Sequence, residues 1–465
     1  TLYMTIQNHG VNVNLFAEHA LISEGWAQNV RISIDLDGKI SDVEIGVDPG
    51  LDDRQLRNRI VIPAMANLHS HSFQRSMAGM SEKRVKKRDS FWSWRELMYS
   101  FLEQLNPEHV EAIAALVFME MLESGYASVG EFHYLHHQQG GQPYENIAET
   151  SSRIIAAAKQ TGIGLTHLPV FYMQGGLSGE QLSKGQLRFG NNTEQYFRLL
   201  EQIENEIQRA PEDYMLGMAP HSLRAVSPEA LKEILDSRQL GPVHIHISEQ
   251  QKEVEDIQNK YGKRPVNWLM DNVPVDSRWC LVHATHMTPE ETFKLAKSGA
   301  VAGLCPVTEA NLGDGIFNGS EYVSSGGIYG IGSDSNVRIS LTEELRMLEY
   351  SQRLFRRERN VMTYTSGSLG KSLYTSALSG GAQALSRNSG IIASGQWADL
   401  LALDSDALAL NGSSEDEILD RWIFSADDSL VREVWSAGRQ MVVDGRHVRH
   451  DQIEKQYLKI IKELH

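Results

Sequence analysis

Four apolar stretches of the chain end on residues that bind metal ions or carry protons, and this recurrence constrains the fold more than any other feature. The residues are His69 and His71 in PAMANLHSHS, His246 and Glu249 in GPVHIHISE, His283 in WCLVHATH, and Asp334 in IYGIGSDSN. Side chains two apart in a strand point to one face, so the imidazoles of His69 and His71 can share a ligand. Because the carboxyl ends of all strands meet at one site in a (β/α)8 barrel, the pattern predicts a metal centre in such a barrel.

Taken alone, each position has a plainer interpretation. A single histidine is more often a core or surface residue than a ligand, and Asp334 lies in a Gly-Ser-Asp-Ser context that suits a turn. His244 lies two residues before His246 and shares its face, so it competes for the role of ligand. His136 and His137 could also bind metal, but a polar, glycine-rich loop explains them better. The recurrence after separate strands is what favours a metal centre.

The central part of the chain alternates strand-like and helix-like stretches, which is the pattern of a parallel α/β fold. The predicted strands end at His71, Tyr134, Tyr172, Ser222, Ser248, His283, Pro306 and Asp334. Helices are predicted over 107–124 and 288–297, the first with a proline near its first turn and the second with Thr288 as its cap. The connections 73–106 and 173–192 are longer than ordinary loops and are therefore candidate lids.

Both ends of the chain show the alternating pattern of an antiparallel sheet. Residues 30–36 alternate apolar and polar side chains, Asp37-Gly38 marks a turn, and a second apolar series follows to Ile45, which predicts a hairpin. Similar stretches recur in GQWADLLALD and SLVREVWSAGRQMVVDG. We therefore predict an α/β protein in which 1–62 and 388–450 build one small β-sandwich domain, 63–387 form the barrel, and 451–465 form an amphipathic helix.

The net charge of -16 bears on partners. Nucleic acids and anionic membranes both require a basic face, so neither is an expected partner, and the basic run KRVKKR at 83–88 is predicted to be a solvated loop. Cys280 and Cys305 fall in predicted buried strands, which implies no disulfide framework and suits a reducing compartment. The chain shows neither a signal-like N-terminus nor an apolar run of about 18 residues, so a cytoplasmic protein is predicted.

The ligand pattern and the split β domain together resemble the amidohydrolase superfamily, specifically its mononuclear deaminase branch. Within that branch, the stretches NLHSHSFQRSMAGMSE, SFWSWRELMY, VGEFHYLHH and APHSLRAV are similar to those of the formimidoylglutamate deiminases. Pro-Ala-Met stands where many members have Pro-Gly before the metal histidines, a departure that we treat as subfamily variation. Binuclear branches usually carry a metal-bridging lysine in the fourth strand. The corresponding LGMAPHSLR contains no lysine, which favours one metal ion.

The resemblance implies a role for each residue of the pattern. The expected ligands of one zinc ion are His69, His71, His246 and Asp334, where His246 is chosen because Glu249 then has the family's HxxE spacing. Iron or manganese would also suit these donors. Metal-bound hydroxide is expected to attack the formimidoyl carbon. Glu249 is expected to protonate the imino nitrogen, Asp334 to accept the water proton and later protonate the leaving ammonia, and His283 to contact the bound water.

The implied substrate is N-formimidoyl-L-glutamate, hydrolysed to N-formyl-L-glutamate and ammonia in histidine degradation. Its two carboxylates need hydrogen-bond donors, and guanidinium groups pair with carboxylates through two parallel bonds. The expected substrate-binding residues are Gln74, Arg95, Tyr134, His221 and Arg224. The resemblance also implies a homodimer, in which Arg95 serves either its own site or that of the neighbouring subunit.

Two other functions remain open. One is an aminohydrolase that uses the same centre on a purine or pterin ring. A flat base would require stacking residues, whereas the motifs offer Arg95, His221 and Arg224, which favours a substrate with carboxylates. The other is a binding module or scaffold that has lost catalysis, since a fold does not by itself establish function. The presence of every expected ligand and proton carrier weighs against it.

Overall fold

The structure, a computed structural model, describes residues 12–83, 89–363 and 365–464. The strands are β1 Val13–Ile22, β2 Gly25–Ile34, β3 Ile40–Ile45, β4 Arg54–Gln55, β5 Arg59–Pro63, β6 Met65–Ser70, β7 Tyr126–His133, β8 Gly164–Phe171, β9 Met215–Leu216, β10 Ala219–Pro220, β11 Val243–Ile247, β12 Trp279–His283, β13 Val301–Leu304, β14 Ile328–Ile331, β15 Leu400–Asp404, β16 Val431–Ser436, β17 Arg439–Val443 and β18 Arg446–His447. The α-helices are α1 Phe91–Leu102, α2 Pro107–Glu123, α3 Glu149–Thr161, α4 Thr193–Ile207, α5 Pro228–Ser237, α6 Gln251–Tyr261, α7 Pro265–Asn272, α8 Pro289–Ser298, α9 Pro306–Leu312, α10 Gly319–Ser324, α11 Leu341–Arg356, α12 Leu369–Ala384, α13 Glu415–Ser425 and α14 His450–Leu464.

Strands from both ends of the chain form one mixed sheet. Its order is β18-β17-β16-β15-β5-β1-β2-β3, with β4 beside β1. The two ends meet where β5 pairs antiparallel with β15 and Val61 lies opposite Ala402. The predicted hairpin is confirmed, since β2 pairs antiparallel with β3 and Ile34 lies opposite Ile40. Gly38 in its turn has φ +85°, and a Cβ there would lie 2.1 Å from the Ala437 carbonyl oxygen, so only glycine fits.

The central part of the chain forms two curled parallel sheets, each flanked by helices. One contains β6, β7, β8 and β10 with β9 beside β8, and the other contains β11 to β14 in order. Isolated parallel bridges join the two sheets at both edges, between Ser70 and Asp334 and between Met218 and Val243. Every stretch predicted as a parallel strand contains a strand. The chain therefore has the mixed α/β content and the curled parallel sheets expected from its sequence.

Local capping explains where the predicted helices begin. Asn106 precedes α2, and its side-chain oxygen accepts a hydrogen bond from the backbone N–H of His109 at 2.8 Å, with Pro107 at the first helical position. Thr288 caps α8 in the same way, and Pro289 begins that helix. Both helices match their predicted ranges to within one residue.

The two long connections, 73–106 and 173–192, contain short helices, and their role as candidate lids stays a prediction. The first contains a 3-10 helix, Ser72–Met77, and the helix α1, while the second contains a 3-10 helix, Lys184–Phe189. The sequence FWSWRELMYSFL of α1 carries aromatic side chains on several faces, so its apolar periodicity is weak. Residues 84–88 of the predicted basic loop lie outside the described residues.

The last turn of α12 lies against the amino ends of the parallel strands. A Cβ on Gly380 would lie 1.9 Å from the Tyr329 carbonyl oxygen, and one on Gly381 would lie 3.1 Å from the Ala66 side chain. Leu385 follows the helix and is fully buried, and its carbonyl accepts a hydrogen bond from Thr166 Oγ1 at 2.9 Å. These contacts close the amino end of the sheets and leave the carboxyl ends for the site.

Two sequence predictions concern the whole chain rather than one element. Cys280 and Cys305 are both buried and free, as predicted. In the part of the chain that the structure describes, no helix combines the length and the apolar character needed to cross a membrane.

Candidate metal centre and active site

The four predicted metal ligands come together at the carboxyl ends of the parallel strands. His69 Nε2 lies 3.2 Å from His71 Nε2 and 3.0 Å from His246 Nε2. The carboxylate Oδ1 of Asp334 lies 3.0 Å from His71 Nε2 and 3.5 Å from His69 Nε2. All four side chains are buried. Three ring nitrogens and one carboxylate oxygen therefore face one point.

The donor set fits a divalent transition-metal ion. His71 Nδ1 lies 2.8 Å from the carbonyl oxygen of Phe132, and because a carbonyl only accepts, Nδ1 carries the proton and Nε2 presents a lone pair. Facing nitrogen lone pairs repel one another unless a cation lies between them. Nitrogen and oxygen donors of this kind suit zinc, iron and manganese, and a hydrogen bond on the second ring nitrogen is the usual support of a metal-binding histidine.

The protonation states of these residues also suit a metal ion. Burial lowers the pKa of His69 to about 3 and lowers the pKa of His246 well below its usual value. Both rings are therefore neutral, which is the form that binds metals. Burial alone would raise the pKa of Asp334, but the adjacent His69 and His71 rings hold that pKa well below its usual range. Asp334 is therefore a carboxylate.

Backbone bonds hold Asp334 beside the strand that carries two of the other ligands. The Asp334 N–H donates to the His69 carbonyl at 2.9 Å, and the His71 N–H donates to the Asp334 carbonyl at 2.9 Å. Asp334 has φ +47°, a left-handed conformation that costs energy in a residue with a side chain. Asn67 supports this strained turn, because its side chain donates to Ser333 Oγ at 2.7 Å and accepts from the Ser333 N–H at 3.1 Å.

The other two predicted catalytic residues, Glu249 and His283, lie beside the ligand cluster. His283 Nε2 is 3.6 Å from Glu249 Oε1 and 3.9 Å from Asp334 Oδ2, while its Nδ1 donates to Glu309 Oε1 at 3.1 Å. Burial alone would lower the pKa of His283, but the carboxylates of Glu249 and Glu309 raise it well above its usual value. Burial also raises the pKa of Glu249. Glu249 and His283 together can therefore hold a proton next to the cluster at neutral pH.

Glu253 fixes the turn that carries Glu249. Its carboxylate accepts the backbone N–H of Ser248 at 3.0 Å and that of Glu249 at 3.1 Å, in the first turn of α6. Ser248 has φ +53°, so this turn too is strained and needs support. Glu253 was not predicted from the sequence. The only available signal was its place in the first turn of a predicted helix after a strand, where a carboxylate often accepts free N–H groups.

The five predicted substrate-binding residues share one cavity with the ligand cluster. It is lined by Gln74, Arg95, Tyr134, His221 and Arg224, together with His71, His246, Glu249, His283 and Asp334. Gln74 Nε2 donates to the Tyr134 hydroxyl at 2.8 Å, and His221 Nδ1 lies 3.1 Å from Ser222 Oγ. His69 lies beneath this cavity and is fully buried.

Both arginines of the cavity lack an anionic partner. Within 12–83, 89–363 and 365–464, neither Arg95 nor Arg224 makes an ion pair, and the Nε atom of each is buried without a hydrogen-bond partner. The guanidinium carbon of Arg95 lies 4.6 Å from the centre of the Trp92 ring, and that of Arg224 lies 5.8 Å from it. The carboxylates of Glu253 and Glu249 attract Arg224 from beyond ion-pair distance, so the guanidinium N–H groups of both arginines remain available and make this part of the cavity a site for anions.

The cavity also contains aromatic residues that the sequence analysis did not place there. They are Phe91, Trp92, Trp94, Tyr99, Tyr172 and Phe189. The ring of Tyr172 lies 4.6 Å from that of His221, and its hydroxyl accepts a hydrogen bond from Gln186 at 3.0 Å. The argument that this pocket lacks stacking residues is therefore wrong. Tyr172 follows its strand as Tyr134 does, a signal that was available.

The histidines with competing interpretations have other partners. His244 Nε2 donates to the Ala384 carbonyl at 2.7 Å, on the side of α12. His136 Nε2 donates to the Val170 carbonyl at 2.8 Å, and His137 Nε2 donates to the Gly190 carbonyl at 2.8 Å. His136 and His137 are buried, which corrects the expectation of a polar loop. Backbone carbonyls, rather than a metal ion, account for all three.

Comparison with known proteins gives matches over nearly the whole chain. Residues 60–441 match the amidohydrolase family, and residues 13–56 match the N-terminal domain of formimidoylglutamate deiminase HutF. A formimidoylglutamate deiminase from Pseudomonas aeruginosa is 48% identical over 452 residues, which cover 97% of this chain and 99% of the relative. A crystal structure of an amidohydrolase from Brucella melitensis has 48% identity and a TM-score of 0.92, covering 97% of this chain and 99% of that one. A 5-methylthioadenosine/S-adenosylhomocysteine deaminase from Shouchella clausii is 26% identical over 394 residues, covering 83% of this chain and 81% of the relative.

Proposed function

The chain belongs to the amidohydrolase family, and on that premise we propose that it hydrolyses N-formimidoyl-L-glutamate to N-formyl-L-glutamate and ammonia in histidine degradation. The observation that carries this proposal is the 48% identity, over 97% of the chain, to a formimidoylglutamate deiminase. The match to the N-terminal domain of that enzyme, at residues 13–56, is independent of the catalytic residues. The chain is accordingly a hydrolase that acts on C–N bonds, with a small molecule as its substrate.

The two curled sheets support the proposal of a (β/α)8 barrel over 63–387, because bridges join them at both edges. The nine-stranded sheet and its own cluster of buried residues support a small β-sandwich domain built from 1–62 and 388–450. The helix α14, His450–Leu464, begins one residue before the proposed terminal segment 451–465. In such a barrel the active site lies at the carboxyl ends of the strands, which is where the candidate ligands converge.

We propose that this centre holds one zinc ion per chain. Its ligands would be His69, His71, His246 and Asp334, and the same donors would accept iron or manganese. A bound divalent cation would supply the activation of water at neutral pH. The buried, neutral histidines and the ionised Asp334 support the assignment.

The proton carriers can be assigned from their positions. Glu249 has a raised pKa, so its carboxyl can donate a proton to the imino nitrogen of the substrate. Asp334 is held as a carboxylate, so its free Oδ2 can accept a proton from the attacking water and return it to the leaving ammonia. His283 Nε2 faces both carboxyl groups and can hold the attacking water between them.

The remainder of the cavity matches a substrate with two carboxylates. Arg95 and Arg224 have unpaired guanidinium N–H groups, and His221 lies beside them. Gln74 and Tyr134 are hydrogen-bonded to each other near His71 and would contact the formimidoyl end. The homodimer and the cytoplasmic location stay predictions from the sequence.

A second candidate is hydrolysis of an amino group on a purine or pterin ring. The aromatic lining of the cavity, with Trp92, Tyr99 and Tyr172, suits a flat ring as well as it suits an aliphatic chain. The two unpaired guanidiniums distinguish the candidates, because a neutral base would leave both without a counter-ion.

The test is release of ammonia and N-formyl-L-glutamate from N-formimidoyl-L-glutamate by protein of known metal content. Guanine, cytosine and 5-methylthioadenosine serve as alternative substrates. Glu249→Gln should abolish turnover without loss of metal, while Glu255→Gln, the same change at an exposed position of α6, should not alter it. If only a ring amine is hydrolysed, the substrate assignment and the roles of Arg95, His221 and Arg224 are wrong.

A further inference from the structure

Among the described residues, Trp92 is the one side chain whose ring face is approached by the guanidinium groups of both cavity arginines. Its ring centre lies 4.6 Å from the guanidinium carbon of Arg95 and 5.8 Å from that of Arg224. Arg95 also lies 5.6 Å from the ring centre of Tyr99. Aromatic rings attract cations at these distances through their electron-rich faces. Trp92 belongs to α1, whereas Arg224 follows β10, so the indole connects two separate elements.

An aromatic ring and a carboxylate have different effects as partners of a guanidinium group. Two cations in one cavity repel each other, and most buried arginines are neutralised by a carboxylate. A carboxylate would occupy the paired N–H groups that a substrate carboxylate needs. An indole ring attracts the guanidinium through its face and leaves the N–H donors at the edge of the group free. The buried Nε atoms of Arg95 and Arg224 are indeed without partners in the described structure.

We propose that Trp92 is a positioning residue that holds both guanidiniums ready for the two carboxylates of the substrate, and so determines the preference for a dianionic over a monoanionic substrate. The inference rests on the proposed function for the identity of the substrate. It goes beyond that function, because it assigns the selectivity to a residue that provides neither charge nor proton.

Trp92 also lies between the active-site cavity and a second cavity. Trp92, Arg224 and Glu253 line both the active-site cavity and an outer cavity that includes Leu177 and Lys260. Loss of the indole would therefore free both guanidiniums and admit water from the outer cavity. Both effects weaken charge pairing with the substrate, because water competes for the same donors and screens the attraction.

The test compares Trp92→Leu and Trp92→Phe with the unchanged protein on two substrates, N-formimidoyl-L-glutamate and the monocarboxylate N-formimidoylglycine. In Trp92→Leu we expect the KM for the dicarboxylate to rise about tenfold, as loss of a desolvated cation–π contact predicts. We expect kcat and the KM for the monocarboxylate to change less than about threefold, and Trp92→Phe to restore most of the preference.

Leu97→Ala is the matched control, because Leu97 lies on the same helix, is partly buried, and does not line the cavity. A loss of selectivity in Leu97→Ala equal to that in Trp92→Leu would mean that the effect comes from loosening of α1. Equal changes for both substrates in Trp92→Leu, or no recovery in Trp92→Phe, would also overturn the proposal.

A binding measurement separates this inference from the proposed function. Calorimetry with glutarate and butyrate requires no turnover. We expect glutarate affinity to fall about tenfold in Trp92→Leu and butyrate affinity to change little. If the unchanged protein fails to hydrolyse N-formimidoyl-L-glutamate but still shows this difference, the function is wrong and the role of Trp92 stands. If glutarate affinity does not change in the variant, the role of Trp92 is wrong.

Discussion

Carboxylates approach both nitrogens of the His283 ring. Glu309 accepts the Nδ1 proton at 3.1 Å and also accepts the backbone N–H of Cys305 at 2.9 Å, so it fixes the ring to the start of α9. The other nitrogen, Nε2, then faces Glu249 and Asp334. The orientation of the ring is set by a residue that does not line the cavity.

Replacing Glu309 should show whether this residue orients the His283 ring or only supports the fold. In Glu309→Ala we expect kcat to fall about 100-fold, which is a typical effect of losing the group that orients a catalytic residue. Glu309→Gln keeps an acceptor oxygen and should lose less than about tenfold. The measurement is steady-state kinetics on protein of equal metal content. A fall in melting temperature and metal content that parallels the loss of kcat would mean that Glu309 is merely structural.

At the scale of residues, the sequence predicted which candidate ligands come together and missed the residues that hold them. His69, His71, His246 and Asp334 were found because each ends an apolar strand, and the structure brings them together. Glu309, Glu253 and Trp92 lie on helices, where a carboxylate or an indole has many ordinary explanations. Nothing in their spacing indicates the distant atom that each one contacts.

Among the elements, the turn after β14 depends most on side-chain support. Asn336 is fully buried, and its side chain donates to the Asp334 carbonyl at 3.1 Å and to Ser70 Oγ at 3.1 Å. Its Oδ1 accepts from Ser333 Oγ at 2.6 Å. Asn336 therefore ties the strained Asp334 turn to β6, the strand that precedes His71.

Asn336→Ala should weaken both the fold and the metal centre. We expect a loss of about 1–3 kcal/mol in the free energy of unfolding, because three buried polar groups each lose one hydrogen bond. Metal affinity should fall about 10–100-fold, as for other residues that orient ligands. Urea unfolding and competition with a chelator measure the two effects. Asn388→Ala removes an exposed hydrogen bond to Gly395 and should change neither quantity; an equal loss of affinity in this control would contradict the assignment.

The predictions of strands and helices were most accurate where the apolar pattern was long and regular. The stretch YMLGMAPHS was predicted as one strand but forms β9 and β10, each of two residues. Gly217 lies between them, where a Cβ would be 2.8 Å from the Pro242 carbonyl oxygen, and Pro220 has no N–H to donate. The helix α1 was missed because its aromatic residues face the cavity as well as the core, which removes the usual apolar stripe.

For the whole molecule, a buried ionic cluster joins the parallel strands to the nine-stranded sheet. Arg387 makes two hydrogen bonds to the Asp399 carboxylate, at 2.6 Å and 2.9 Å, and one to Asp213 at 3.1 Å. Arg439 makes two more to Asp213, at 2.8 Å and 2.7 Å. These partners are far apart in the sequence. The shared sheet could be predicted from the alternating residues at both chain ends. This buried ionic cluster could not be predicted in the same way.

The lowered pKa of Asp213 predicts how the stability contributed by this ionic cluster depends on pH. Burial alone would raise this pKa, but Arg387 and Arg439 lower it below its usual value. The unfolded chain therefore binds a proton at higher pH than the folded one, so the stability from Asp213 is present above about pH 3.9 and is lost as the pH falls through the folded pKa.

Urea unfolding of chelator-treated protein between about pH 7 and pH 3 should show this loss, and Asp213→Asn should show less of it. At neutral pH the variant should be less stable by about 3–5 kcal/mol, because the buried Arg387 and the partly buried Arg439 lose a charged partner. Chelator treatment keeps acid release of metal out of the comparison. The same acid dependence in Asp213→Asn as in the unchanged protein would refute the prediction.

The metal centre should contribute to global stability as well. Its proposed ligands come from β6, β11 and the turn after β14, which belong to both parallel sheets. A ligand that binds only the folded state stabilises it by mass action, by about 4 kcal/mol at a thousand times its dissociation constant. Removal of metal by a chelator should therefore lower the melting temperature, and zinc should restore it. A melting temperature that the chelator does not change would show that these histidines hold no ion.

The last turn of α12 has a consequence for the order of events during turnover. Because Gly380 and Gly381 lie directly against the strands, α12 covers the amino end of the parallel sheets, and the cavity with Arg95 and Arg224 lies at the opposite, carboxyl end. N-formyl-L-glutamate keeps both carboxylates of the substrate, so we expect product and substrate to bind the same two guanidiniums. The carboxylated product must therefore depart before the next substrate can be seated, and N-formyl-L-glutamate should compete with substrate for the free enzyme.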